Sequence, residues 1–299
     1  MKAHDLRGSV QMNGLLEYMR FLFRISRPRF WIYTGGTYVI GYTLAASGFS
    51  DFLSPAYYLY LLYFFFPANI FIYGVNDWWD EETDILNPKK GSREHMLAHD
   101  ERKRLKGSII LVTVISLLLM LSQTLTEALI FLGFLFLSYF YSAHPLRFKE
   151  KPFLDFSSNY LYIMPGIFAY NLASGTLPDP LILFAGYCHV AAMHIFSAVP
   201  DTEYDRMAGI NTTPVFIGRR PALVLSAFFW LLLSIITVYL TGFHPLSFLV
   251  FIYPAFPLSV LLIREIRIEK IYWYLPYVNT ALGGLLFIAL INYRVFHWI

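Results

Sequence analysis

One cysteine, Cys188, stands in 299 residues, so an intrachain disulfide and a thiolate cluster are both excluded. Charge is scarce too: Asp, Glu, Lys and Arg make up 14% of the chain, against about a quarter in a soluble domain. There is no low-complexity tract and no flexible linker, so a single unit over 1–299 is expected. No short apolar core followed by a small-residue cleavage site opens the chain, so a cleaved signal peptide is not expected. What is abundant is hydrophobic: 57% of the residues, with aromatics alone at 19%. Apolar stretches near the roughly 20 residues needed to cross a bilayer recur along the whole length.

Nine spans are read, over 30–48, 54–76, 107–124, 126–144, 154–173, 179–199, 221–241, 244–263 and 272–292. Lys and Arg are missing from every second connection, near 49–53, 125, 174–178 and 242–243. Of the 23 basic residues, 22 lie before the first span or in 77–106, 145–153, 200–220 and 264–271; Arg294 is the exception. Basic loops mark the cytoplasmic face. The expected topology in the cell membrane is therefore N-terminus inside and C-terminus outside, with an odd number of spans.

Acids gather where two of these stretches reach that face. "NDWWDEETD" runs from Asn76 to Asp84, and at helical spacing Asn76, Asp80 and Asp84 fall on one stripe with Asp77 beside it. "FSAVPDTEYD" places Asp201 and Asp205 four apart at the end of another stretch, with Glu203 pointing elsewhere. Carboxylates this close repel unless a cation is bound. Carboxylates with an amide, and without thiolate or imidazole, suit a hard ion such as Mg²⁺ completed by phosphate oxygens. Basic residues nearby agree: Arg27, Arg29, Arg147, Lys149, and Lys89, Lys90 and Arg93 after the first cluster. Together they would steady a diphosphate as a leaving group. A solvated acidic loop would explain one such cluster, but not two with matched spacing on one face. A cation pathway would explain the acids, but not the adjoining Arg and Lys.

Four elements in order resemble the UbiA superfamily of intramembrane prenyltransferases. They are "RPRFW" (27–31), the NDxxDxxxD pattern of Asn76, Asp77, Asp80 and Asp84, "YSAHPLRFK" (141–149), and Asp201 and Asp205 followed by "GINTTPVFIGRR". The resemblance implies an all-α integral membrane bundle of nine transmembrane helices around a central, lipid-open cavity. It further implies Mg²⁺ and a prenyl diphosphate held by Asn76, Asp80, Asp84, Asp201 and Asp205. Arg27, Arg147 and Lys149 are the candidates for diphosphate contact, and Asp77 for supporting the metal site. An allylic cation would alkylate a hydrophobic acceptor lipid. The surroundings of both acidic motifs are most similar to the lycopene elongase branch, which extends carotenoids to C45 and C50 with dimethylallyl diphosphate. The alternatives are an aromatic or quinone-precursor acceptor, and a cation transporter built on the same carboxylates. Neither a nucleic acid nor an obligate protein partner is expected.

Other residues fall on the site-facing stripes. Asn69 and Tyr73 precede Asn76 by seven and three, and His194 precedes Asp201 by seven. Tyr73 offers a ring face to a carbocation. His194 is placed to accept a proton from the product cation, although a hydrogen-bonded packing histidine fits the same position. His189 and His144 have weaker claims. Pro67 and Pro200 interrupt helices beside the acids, where they would free backbone carbonyls.

Overall fold

The computed structural model describes residues 2–80, 97 and 101–296, with side chains from residue 14 onward; Asp84 lies outside this set. Among the described residues the regular structure is helical throughout, without a strand. The longer helices are α1 (Lys2–Ile25), α2 (Gly35–Ala45), α3 (Pro55–Phe65), α4 (Pro67–Trp79), α5 (Arg102–Met120) and α6 (Leu125–Phe140). They continue with α7 (Met164–Ser174), α8 (Pro180–Ala198), α9 (Arg219–Leu240), α10 (Ile252–Leu262) and α11 (Leu275–Ile291). Each of the nine apolar stretches overlaps one or more of α2–α11. Five helical runs among the described residues are long and apolar enough to cross a membrane: Pro55–Trp79, Pro180–Met207, Arg219–Leu240, Pro245–Leu262 and Ile268–Phe296. Large apolar side chains such as Leu118, Leu121, Leu129 and Phe228 face outward, as a lipid-facing surface requires.

Local chemistry sets the helix ends. Thr124 and Glu127 form a reciprocal capping box at the start of α6. The Asp179 side chain accepts from the Leu181 amide at 2.7 Å to open α8. Gly175, at φ 72°, closes α7 in a left-handed turn.

Helix α1 precedes the first apolar stretch; its Phe21 and Ile25 are buried, and the Tyr18 hydroxyl meets Ser108 at 2.8 Å. The 54–76 stretch is interrupted at Pro67, as expected, because proline removes an amide donor; this gives α3 and α4. Asn69, expected to face the acids, is instead buried in that break. Its amide nitrogen donates to the freed carbonyls of Phe64 (3.0 Å) and Phe65 (2.9 Å) and to Thr34 (2.7 Å). The 154–173 stretch is likewise divided, into a short helix Leu154–Ser157, a 3-10 turn Ser158–Tyr162 and α7.

Apolar packing forms two separate cores. One joins Phe64, Phe131, Phe134 and Phe168 with residues of α1–α5. The other joins Cys188, Ile195, Phe196, Trp230 and Tyr253 across α8–α11. Within the first half α2 and α7 touch backbone to backbone: a Cβ on Gly41 would lie 2.1 Å from the Gly166 carbonyl oxygen. Small residues permit such an approach in a membrane bundle.

Candidate active site

The ends of α4 and α8 face a common cavity of about 400 Å³. Asn76 and Asp80 line it from α4, and Asp201 and Asp205 from the segment after α8. Asp80 is the C-terminal cap of α4 (φ −104°, ψ 3°), its amide bonded to the Asn76 carbonyl at 3.0 Å, and the expected continuation of the stripe to Asp84 lies outside the described residues. Similarly α8 stops at Ala198. Asp201 closes a 3-10 turn containing Pro200, and Asp205 sits in the short helix Thr202–Met207. Glu203 turns away and pairs with Arg206 at 3.0 Å.

Around Asp80 the polar contacts are dense although the residue is 4% exposed. The Asn76 amide donates to its Oδ2 at 2.5 Å and to Ser142 Oγ at 2.9 Å. Lys149 ion-pairs with its Oδ1, and an Arg147 nitrogen lies 3.7 Å from the same oxygen. Arg147 also binds Glu150 at 2.6 Å and meets His144 at 3.1 Å, and it is not part of the cavity wall. Asp77 is buried beneath the site rather than lining it, paired with Arg27 at 2.6 Å. Arg27 does line the cavity, with its guanidinium 4.8 Å from the centre of the Tyr73 ring. Both Arg27 (φ 48°) and Arg147 (φ 41°) have left-handed backbones, a conformation costing a non-glycine residue on the order of 1–3 kcal/mol. Arg29 ties the rim to the segment before α11, donating to the Trp273 carbonyl at 2.7 Å.

Below the charges the wall is aromatic. Tyr73 and Tyr162 meet hydroxyl to hydroxyl at 3.4 Å, and Phe30 packs against both Tyr73 and Tyr33 at 5.8 Å.

The sequence reading missed Asp155. It is fully buried, accepting from the Thr213 hydroxyl and amide (2.6 Å each) and the Phe156 amide (2.9 Å). It thereby anchors the strip that follows Asp205, where the neighbouring Thr212 donates to Asp205 at 3.2 Å. An acid inside a predicted span was the available signal. Next to it, the Asn159 amide nitrogen donates to the Asp155 carbonyl at 2.7 Å and meets His194 Nδ1 at 3.0 Å. The carbonyl can only accept, which fixes the amide orientation and makes Nδ1 the acceptor. Neutral His194 therefore carries its proton on Nε2, as a donor on a ring that lines the cavity. Of the two roles the sequence left open for His194, this pairing matches the hydrogen-bonded packing one. His189 packs on Tyr253 at 4.8 Å and is not part of the cavity wall.

These residues belong to a chain with clear relatives. A model of the UbiA prenyltransferase family matches residues 35–291. A lycopene elongase/hydratase from Halobacterium salinarum is 38% identical over 272 residues, covering 88% of this chain and 94% of its own. One from Haloarcula japonica is 35% identical over 263 residues, covering 88% of each. Among solved structures, a UbiA homolog from Archaeoglobus fulgidus bound to DMAPP and Mg²⁺ superposes with TM-score 0.69 at 21% identity, over 91% of this chain and 99% of that one. The apo UbiA homolog from Aeropyrum pernix K1 gives the same TM-score at 15% identity, over 88% and 98%. The fold is thus shared well beyond recognisable sequence, and the transporter alternative falls away. The chain belongs to the UbiA prenyltransferase family and is a prenyltransferase most similar to the lycopene elongase branch.

Proposed function

We propose that this chain transfers the dimethylallyl group of dimethylallyl diphosphate to lycopene or a related carotenoid. The observation that carries the reading is convergence. Two acidic segments from separate helices, with Lys149 and Arg27, share one cavity whose deeper wall is aromatic and aliphatic. The relatives' named activity supports the acceptor.

The donor set fits Mg²⁺. Its carboxylate and amide oxygens line one cavity and are the hard donors that suit an ion whose shell is completed by diphosphate oxygens and water; by themselves the described acids, histidines and cysteines form no cluster of three. Asn76, Asp80, Asp201 and Asp205 would hold it, with Asp84 from outside the described residues. The chemistry supplied by bound Mg²⁺ is neutralisation of the diphosphate charge. Lys149 and Arg27 add positive charge where the leaving group gains negative charge. Arg147 acts from behind, through Asp80, and Asp77 orients Arg27. As the donor C–O bond breaks, its electron pair leaves with the diphosphate. The rings of Tyr73, Tyr162 and Phe30 lie beneath, available to the allylic cation. The terminal alkene of lycopene attacks that cation, and the resulting tertiary cation loses a proton or gains water.

A hydrocarbon acceptor suits a wall that, among the described residues, has no lysine or arginine below the charged mouth, because burying an unpaired carboxylate there would be costly. Cells that make lycopene, given this chain, are expected to accumulate C45 and C50 carotenoids by mass spectrometry. Unchanged lycopene, with prenylation of 4-hydroxybenzoate or a naphthoate in the same membranes, would favour the aromatic-acceptor alternative.

The whole chain acts as one domain with nine crossings in the cell membrane, and the site opens to the cytoplasm. The 22-to-1 division of Lys and Arg supports this. A reporter after Ile299 is expected outside the cell and one within 90–105 inside. Both on one face would reject the topology.

A further inference from the structure

On two helices the cavity wall stops at a matching distance from the acids. It runs from Asp80 to Ile72 on α4 and from Asp201 to Met193 on the α8 side. Each interval is eight residues, a depth of about 12 Å at helical rise. On α11 the wall ends at Pro276. One turn beyond these ends stand Asn69, His189 and Asn279, none of which lines the cavity.

Asn279 closes the end from behind. Its carbonyl accepts from the Tyr253 hydroxyl at 2.9 Å, and its amide nitrogen donates to the Tyr33 hydroxyl at 3.4 Å and to Met193 Sδ at 3.3 Å. Tyr33 and Met193 both line the cavity, so one buried amide pins two of the groups at its base. The Tyr33 ring is held further by Phe30 at 5.8 Å and Tyr162 at 6.0 Å. Asn279 is buried, so breaking these hydrogen bonds would leave polar groups unsatisfied, which is costly.

We propose that Tyr33 and Met193, locked by Asn279, form a floor that restricts the prenyl donor to one isoprene unit. The inference rests on reading the cavity as the prenyl diphosphate site. The diphosphate and its counter-ions take about the upper half of the depth, given metal–oxygen distances near 2 Å. A dimethylallyl chain of four bonds then advances about 5 Å, at a little over 1 Å per bond. A second isoprene unit needs about as much again, and the space it would enter is held by Tyr33 and its amide lock.

The test is binding, which needs no acceptor. Purified full-length protein with Mg²⁺ is titrated with dimethylallyl diphosphate and with geranyl diphosphate. In an open-ended apolar pocket the five added carbons would favour geranyl by about a hundredfold or more. The floor predicts that the native chain binds geranyl diphosphate no more tightly than dimethylallyl diphosphate. Tyr33→Ala and Met193→Ala should each shift the affinity ratio toward geranyl by about tenfold or more. The smaller Met193 truncation keeps the test intact if Tyr33→Ala does not fold. A native preference for geranyl of about a hundredfold, or an unshifted ratio in the folded variants, overturns the floor. Failure of the native chain to bind either diphosphate overturns the donor-site reading as well.

Discussion

Asp80→Asn and Asp201→Asn should each lower prenyl transfer from dimethylallyl diphosphate by about two to three orders of magnitude, the scale of losing one charge-stabilising group at a reacting centre. Both changes preserve shape and remove one negative charge. Asp80 receives Asn76 and Lys149 at the end of α4, and Asp201 lies across the same cavity, 121 positions later in the chain. If they serve one diphosphate, the double variant should be little worse than either single variant, because groups acting as a unit are not additive. Turnover is measured in purified protein, with membrane insertion checked beside it. Near-native rates in both single variants would sink the shared site. Losses that multiply in the double variant would mean that the two acids work independently.

Asp155→Ala should be the most damaging change to stability outside the acidic motifs. It removes the acceptor from the Thr213 hydroxyl, the Thr213 amide and the Phe156 amide, in a place with no exposure. Each buried donor left without a partner costs about 1–3 kcal/mol. A total of several kcal/mol should lower the thermal midpoint by on the order of 10 °C. Activity should fall with it, because Thr213 adjoins the residue that holds Asp205. Asp155→Asn keeps one acceptor oxygen and should recover part of the midpoint. An unchanged midpoint in Asp155→Ala would show that the tie to Thr213 is not structural.

The division between what the sequence revealed and what it hid follows the range of the interactions. Long apolar stretches and i, i+4 acids are local patterns, and they placed Asn76, Asp80, Asp201 and Asp205 on one cavity. Helix breaks were harder. Pro67 marks the break in the 54–76 stretch, but nothing local shows that Asn69 serves the two carbonyls it frees. Equally hidden was the capping position of Asp80, since the four-residue spacing fits a continuous helix and a helix end alike. Asp155 with Thr213 and Asn159 with His194 pair across 58 and 35 positions. No local period reports such contacts, so the sequence leaves His194 open between a base and a hydrogen-bonded packing residue, and only the fold shows its Nδ1 engaged. The same holds for Tyr33 and Asn279, separated by 246 positions.

The two apolar cores carry a consequence for how such an enzyme changes over generations. Ile72 and Tyr73 belong to the first core, and Met193 packs against the second. Substitutions buried in one core have few shared neighbours with those in the other, so their effects should add rather than interfere. Each wall can then drift in shape while the opposite wall keeps its half of the diphosphate grip. A new acceptor becomes reachable by small inherited steps, none of which requires rebuilding the whole bundle.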